Sequence, residues 1–115
     1  MRLSLRLRML CLVFNFPQTN VVTFAPGAHS SWHRHGGMVV QVTGGVGLYQ
    51  EEGRPAQVLR KGDVVMCPPD VKHWHGASAN SRFAHLAAGT NPDKPAVVWT
   101  DEMLSKEEYD NLPKE

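Results

Sequence analysis

Short apolar runs separated by turn-forming residues predict an all-β protein. The runs have the length of strands, and Gly, Pro and Asp cluster between them, as in a β-sandwich or β-barrel. The predicted strands cover residues 20–24, 39–43, 46–50, 56–59, 63–67, 73–77, 83–88 and 97–100. Gly44-Gly45 predicts a tight hairpin between the second and third strands. The polar loop 78–82 predicts a last pair between strands 73–77 and 83–88.

The N-terminal region has the alternation of a half-buried strand. Every second residue from Leu3 to Met9 is apolar, and Ser or Arg stands between them. A signal peptide is the alternative, but the apolar run Met9–Phe14 is only six residues long, and no small-residue cleavage site follows before Pro17. We therefore predict a strand here. No stretch approaches the ~20 apolar residues that span a bilayer.

The C-terminal region predicts one short helix at about Lys106–Asn111. Ser105 and Glu108 have the spacing of a capping box, and Tyr109 and Leu112 are expected to pack the helix against the barrel. The 115 residues suit a single domain. We divide it into an N-terminal strand region (1–19), a core (20–90) and a C-terminal extension (91–115).

Charge and cysteine content narrow the classes of partner and the compartment. The formal net charge of +1 favours neither nucleic acid nor an anionic membrane as a partner. The two cysteines, Cys11 and Cys67, form neither a disulfide framework nor a CxxC motif. We interpret both as reduced thiols of a cytoplasmic protein.

Two His-x-His pairs carry the candidate chemistry. Side chains at positions i and i+2 of a strand point to the same face, so His33 with His35, and His73 with His75, each project two imidazoles into one space. Neutral imidazole is the commonest ligand of transition metals. Four buried imidazoles without a shared ligand would leave many polar atoms unsatisfied. The pairs therefore predict a metal site inside the barrel.

The other two histidines differ in context. His85 lies within the apolar run Phe83–Ala87, where a buried imidazole needs a role or a partner, so a functional role and a structural one stay open. His29 is isolated in a polar turn and is interpreted as structural. Trp32 and Trp74 neighbour the histidine pairs and should point away from the metal to pack elsewhere.

Two motifs resemble those of the cupins. The first is Gly, five residues, His-x-His, a Glu or Gln a few residues on, and a later Gly; the second is Gly, five residues, Pro-x-Gly, two residues, and His. The matching residues are Gly27, His33, His35 and Gly47 for the first motif, and Gly62, Pro68 and His73 for the second. The resemblance extends from about Asn20 to Tyr109. It implies a cupin double-stranded β-helix, or jelly-roll barrel.

A narrower resemblance rests on Val22–Gly27, Trp32–His35, Gly62–Val65, Lys72–Ala77 and Glu107–Tyr109. These stretches look like carboxymuconolactone-decarboxylase-associated cupins and manganese-dependent bacterial cupin hydroxynitrile lyases. The resemblance implies that His33, His35 and His73 bind the metal together with a Gln. It also implies that His75 and His85 face the substrate.

The fourth ligand departs from the family pattern. The chain reads His35-Gly36-Gly37-Met38, and alignment puts Met38 where the group has its Gln. Either three histidines and water hold the metal, or Gln41 reaches in; we favour Met38 as the inward residue. A thioether suits softer ions better than manganese. Asp70 replaces a motif Gly at a turn position that Asp tolerates.

These features predict a metal-dependent enzyme of the lyase type, similar to hydroxynitrile lyases or decarboxylases, with His75 and His85 as acid and base. The resemblance implies manganese, with iron, nickel or zinc as alternatives. An apolar lining of Met38, Val40, Val65 and Phe83 favours a small organic substrate. A non-catalytic sensor or storage cupin, a dioxygenase or isomerase, and a metal-free barrel are the other hypotheses. We expect a homodimer, since cupins commonly pair through their sheets.

Overall fold

The computed structural model describes residues 19–90 and 98–113, and these residues are mostly β-strand. The all-β prediction is therefore confirmed. The strands are β1 (Thr19–Phe24), β2 (His33–Arg34), β3 (Met38–Glu51), β4 (Gln57–Arg60), β5 (Val64–Cys67), β6 (His73–Ala77), β7 (Phe83–Gly89) and β8 (Val98–Trp99); the one helix of the described residues is α1 (Lys106–Asp110). The predicted N-terminal strand lies outside the described residues.

The long strand β3 organises a curled antiparallel sheet. Its first half pairs with β7 on one side and β5 on the other, and β7 continues to β1. Its second half pairs with β4 and β6, and β6 continues through β2 to β8. Because β3 belongs to both halves, the sheet folds over on itself and encloses an inner face.

The predicted hairpin at Gly44-Gly45 is wrong. β3 runs through these glycines as one strand, with a bulge between Val42 and Gly44. The glycines are needed because β7 comes close: a Cβ on Gly45, whose φ is +72°, would lie 1.7 Å from the carbonyl oxygen of Arg82. The Gly-Gly pair thus serves a bulge and a close backbone approach instead of a turn.

The predicted pairing of β6 with β7 is also wrong. β6 pairs with the second half of β3, and β7 pairs with the first half. The loop 78–82 therefore crosses from one half of the curled sheet to the other. Two neighbouring strands of the chain thus bring their side chains to the same interior from opposite sides.

The core fills the space between the two halves. Its buried residues are Val40, Val42, Tyr49, Leu59, Cys67, Ala77, Phe83 and Ala87, with Phe24, Met38 and Val65 packed against them. Cys67 is a free thiol, and burial raises its pKa to about 11. The inward positions agree with the lining predicted from the sequence.

The C-terminal helix is held by its cap and by one aromatic residue. Ser105 Oγ accepts from the Glu108 amide at 3.1 Å, and Glu108 Oε1 accepts from the Ser105 amide at 3.0 Å, so the predicted capping box is present. The Tyr109 hydroxyl donates to the Ala77 carbonyl at 2.6 Å. This bond fixes the helix to the end of β6.

No helix of the described residues has the length and apolar character needed to cross a membrane.

Candidate metal centre

Antiparallel pairing of β2 with β6 brings the metal-ligand candidates together. His33 and His73 are directly opposite each other, and their ring centroids are 4.4 Å apart. His35 follows β2 on the same face, and its Nε2 lies 3.2 Å from Nε2 of His73. All three side chains are buried, and one nitrogen of each lies within 4.8 Å of the others. The spacing suits one shared ion.

Hydrogen bonds to the backbone determine which nitrogen of each ring is free. His33 Nδ1 is 2.8 Å from the Ser31 carbonyl and His73 Nδ1 is 2.9 Å from the Val71 carbonyl, while His35 Nδ1 bonds the Gly36 carbonyl. A carbonyl only accepts, so each Nδ1 carries the proton and each Nε2 presents a lone pair. Metal-binding imidazoles are commonly fixed in this way.

The electrostatics of the cluster favour neutral rings. Burial lowers the pKa of His33, and the neighbouring His35 lowers it further. Burial likewise lowers the pKa of His73 to about 4, with His33 and His35 adding to the effect. Neutral imidazoles can coordinate a cation at pH 7 without first losing a proton. The donor set therefore fits a divalent transition metal.

Turn geometry holds the cluster in place. The Asp70 amide donates to the His35 carbonyl at 2.9 Å. Asp70 has a φ of +61°, the one positive φ outside glycine among the described residues. This agrees with the prediction that Asp can replace the motif Gly here, because Asp tolerates the left-handed region better than most residues.

A second imidazole pair lies beside the cluster. His75, on β6, has its ring 5.4 Å from that of His33 and 5.9 Å from that of His73. His85 reaches the same space from β7, and its Nε2 is 3.3 Å from Nδ1 of His75. The structure thus brings all five histidines predicted to be functional into one interior.

Burial makes this pair neutral as well. It lowers the pKa of His75 well below its usual value, with the neighbouring His85 as the next cause, and it lowers the pKa of His85 to about 4. His85 Nδ1 is buried and has no hydrogen-bond partner among the described residues. Phe24 packs against both rings, at 5.5 Å from His75 and 6.1 Å from His85. An unpaired nitrogen in an apolar wall is available to a bound molecule.

The two candidates for a fourth ligand lie on opposite faces of β3. Met38 is half-buried and packs against the core, whereas Gln41 is exposed on the outer face. Met38 is therefore the inward residue, as the sequence favoured. Its partner on β5 is Cys67, so two sulfur-bearing side chains share this part of the inner face.

Two aromatic residues near the cluster were not singled out from the sequence. Tyr49 is buried with its ring 5.4 Å from that of His73, and its hydroxyl donates to Glu51 at 2.8 Å. Trp99 stands opposite His33 at a centroid distance of 4.7 Å, although 61% of it is exposed. Strand alternation shows which way a residue points, but neither contact is visible without the pairing of strands.

The remaining predictions concern residues outside the cluster. His29 stacks on Tyr109 at 5.1 Å and contacts Trp74 at 5.7 Å, in keeping with a structural role. Trp74 is fully buried on the side of β6 away from the cluster, and its indole donates to Gln50. Lys72 forms ion pairs with Glu52 and Glu102 and lies 5.7 Å from the Trp32 ring.

The sequence model of the family described as the cupin domain matches residues 20–87, which is more than half of the chain. The chain belongs to the cupin family. This cupin is 43% identical over 89 residues to (R)-mandelonitrile lyase of Granulicella tundricola, and the matched segment covers 76% of this chain and 67% of the relative. The predicted family and the cupin fold are therefore confirmed.

Solved structures resemble this cupin to different degrees. A cupin-like protein from Thermotoga maritima has a TM-score of 0.76 and 44% identity, over 80% of this chain and 69% of that one. A DMSP lyase from Ruegeria pomeroyi has a TM-score of 0.62 and 23% identity, and the match covers 71% of this chain but only 42% of the lyase. The second likeness concerns the fold alone.

Proposed function

We propose that this cupin is a metal-dependent lyase that cleaves cyanohydrins, by analogy with the relative named (R)-mandelonitrile lyase. The observation that carries the proposal is the juxtaposition of two imidazole sets in one interior. His33, His35 and His73 present three free Nε2 atoms to one point, and His75 with His85 forms a neutral pair beside them. A purely metal-storing cupin would need only the first set.

The three-histidine cluster would hold a divalent transition metal, which when bound supplies a Lewis acid for a substrate oxygen. The family resemblance favours manganese, with iron, nickel or zinc as alternatives. The protein contributes the ring orientations, since each Nδ1 is tied to a backbone carbonyl. It also contributes the apolar wall of Phe24, Phe83 and Val42, which excludes water from the reacting atoms.

The His75–His85 pair can hold a proton in either of two ways. When His85 Nε2 donates to His75 Nδ1, the unpaired His85 Nδ1 is an acceptor; when His75 donates, the same Nδ1 carries the proton. As acceptor, it takes the hydroxyl proton of the cyanohydrin. The carbon–carbon bond to the nitrile then breaks, the carbonyl forms, and cyanide leaves with the electron pair. Return of the proton to cyanide completes the reaction as aldehyde and hydrogen cyanide.

The pKa of His85 suits a base that is neutral over the whole physiological range. Burial lowers it to about 4, so the ring is free to accept a proton at pH 7. The consequence is a weak basicity, and the neighbouring His75 Nδ1, 3.3 Å from His85 Nε2, is the group that can exchange a proton with it. General acid–base groups of this kind contribute about 10²- to 10⁴-fold to a rate.

The test combines metal content with turnover of mandelonitrile by the full chain loaded separately with manganese, iron, nickel or zinc. We expect one metal per chain and metal-dependent release of benzaldehyde. A His33→Ala, His35→Ala variant should lose both properties. A His85→Phe variant should keep its metal and lose at least about a hundredfold in kcat.

His29→Ala is the matched control, because His29 lies outside the interior and stacks on Tyr109. It should keep both metal and turnover. A parent protein that takes up no metal would overturn the metal site. Full turnover by the His85 variant would overturn the catalytic role of the imidazole pair, and a metal-loaded parent without turnover would favour a binding protein.

A further inference from the structure

The metal-ligand candidates belong to a cross-strand row that ends on a tryptophan. Strand pairing sets His73 on β6 opposite His33 on β2, and sets His33 opposite Trp99 on β8. Residues directly opposite each other on antiparallel neighbours have their side chains on the same face of the sheet. Trp99 therefore lies on the inner face of the sheet, one strand beyond His33.

Solvent exposure changes sharply at the last member of this row. His73 and His33 are 1% and 2% exposed, whereas Trp99 is 61% exposed. β8 is the last strand on that side of the sheet, so the row leads from the closed interior to solvent. The inner face is accessible at this edge, and a molecule that enters here contacts the indole on its way to the histidines.

Hydrogen bonds hold β8 and the residues after it against the start of β2. The Thr100 amide donates to the Trp32 carbonyl at 3.1 Å, and the Thr100 hydroxyl donates to the same carbonyl at 2.6 Å. The Trp32 amide donates to the Glu102 carbonyl at 2.9 Å, and the Glu102 side chain forms an ion pair with Lys72. These contacts fix the backbone on which the indole stands, and so fix its distance from the cluster.

The indole has one side against the cluster and the other side open. Its centroid lies 4.7 Å from that of the His33 ring, at an interplanar angle of 43°. This distance is within the range of about 4.5–7 Å at which aromatic rings pack. Because most of Trp99 is exposed, the indole can pack against a second aromatic ring at the same time.

An aryl group close to the reacting oxygen fits this position. In an aromatic cyanohydrin the ring begins two covalent bonds, about 3 Å, from the hydroxyl oxygen. His75 and His85 occupy the inner side of the three-histidine cluster, so a ring attached to an oxygen held at the cluster has its room on the side of Trp99. We propose that Trp99 determines substrate specificity by stacking on the aryl group of the substrate. The inference rests on the proposed lyase function and adds the residue that selects aromatic substrates.

The first test compares two cyanohydrins that differ in the saturation of one ring, mandelonitrile and its cyclohexyl analogue. The full chain carries the metal that gives turnover, and kcat/KM is measured for both compounds. We expect the parent to prefer mandelonitrile. Trp99→Leu keeps an apolar side chain without an aromatic face, and it should lower the ratio of the two kcat/KM values about two- to tenfold, mainly through KM. Trp99→Phe should retain a preference for the aromatic compound.

The second test needs no turnover. Benzyl alcohol and cyclohexylmethanol differ in the same way and are not cleaved, and NMR titration of the metal-loaded chain measures their dissociation constants. We expect tighter binding of benzyl alcohol to the parent, and loss of this difference in Trp99→Leu. That result would support the role of Trp99 even if no cyanohydrin were cleaved, so the proposed reaction and the aromatic site can fail separately.

Val98→Ala is the matched control, because Val98 is 56% exposed on the same strand but lies opposite Arg34, on the outer face. It should keep the preference of the parent in both tests. A parent without preference for the aromatic compounds would overturn the inference. A Trp99→Leu variant that keeps the preference would do the same, and one that loses its metal would make Trp99 a structural cover of His33 instead.

Discussion

His85 is a polar residue that the fold buries among apolar side chains. The side chain is 1% exposed, its Nδ1 has no partner among the described residues, and Phe24 and Phe83 flank its ring. Burial of an unpaired polar atom costs stability unless something binds it. We interpret this loss of stability as the consequence of holding a neutral imidazole ready for a ligand.

The low pKa of His85 makes the metal-free protein sensitive to mild acid. The usual pKa of a histidine is 6.5, and the pKa of His85 in the folded chain is about 4. Between these two pH values the unfolded chain binds a proton at this ring and the folded chain does not. Stability is therefore full above pH 6.5 and falls as the pH drops, by up to about 3 kcal/mol at pH 4. Urea unfolding of the metal-free protein at several pH values measures this slope.

His85→Phe is the variant to compare, because Phe matches the apolar surroundings and does not titrate. Its free energy of unfolding should fall less steeply below pH 6.5 than that of the parent. Equal slopes in the two proteins would show that His85 has the same pKa in the folded chain as in the unfolded chain.

Met38 should weaken the preference for manganese. It lies on the inner face three residues after His35 and carries a thioether where the related group has a Gln oxygen. Hard ions such as manganese favour oxygen ligands. We expect Met38→Gln to raise the affinity for manganese relative to zinc by about tenfold. Competition titration with a metal-sensitive dye measures the ratio, and an unchanged ratio would place position 38 outside the coordination sphere.

The shared orientation of the paired histidines could be predicted from the sequence because strand alternation is a local rule. His33 with His35, and His73 with His75, share a face for any strand of regular geometry. Tyr49 and Trp99 were not predictable, since their contacts depend on which strand pairs with which. Tyr49 meets His73 because β3 pairs with β6, and Trp99 meets His33 because β8 pairs with β2.

Among the elements, β3 is where sequence rules and structure diverge most. Gly44-Gly45 has the composition of a two-residue hairpin turn, and this local signal predicts a hairpin. The same composition also permits a bulge, and the choice depends on how closely another strand approaches. Here Arg82 and Phe83 of the β7 region lie against Gly45 and Gly47. That long-range contact explains why the local prediction failed.

Gly45→Ala should be strongly destabilising, by about 3 kcal/mol or more. The new Cβ would overlap the Arg82 backbone, and the alanine would have to adopt a positive φ. Gly53 separates the two causes, since its φ is also positive, at +80°, but no atom lies within 4 Å of a Cβ there. We expect Gly53→Ala to cost only about 1 kcal/mol. Similar losses for both variants in denaturant unfolding would mean that β7 can move away from β3.

For the whole molecule, the metal should act as a structural ligand as well as a catalytic one. The three histidines come from two distant parts of the chain, 33–35 and 73, so an ion that they share binds the folded state alone. Metal at about a thousand times its dissociation constant adds about 4 kcal/mol. A rise in Tm of roughly 15 °C follows for a domain of this size.

Calorimetry of the full chain with and without added metal measures this shift. The His33→Ala, His35→Ala variant supplies the reference, because it should show no change in Tm on addition of the same ion. A shift of equal size in the variant would locate the stabilising ion at another site.

The position of β3 in the sheet has a consequence for how the protein is made. Each strand that pairs with β3 comes after it in the chain, and β7, the last of them, is also the partner of β1. During translation the first half of the chain therefore leaves the ribosome with its strand edges unmatched. Such edges are prone to aggregation until they are paired. The nascent chain completes its sheet only after β8, at residues 98–99, has emerged, because β8 is a partner of β2, the strand that carries His33.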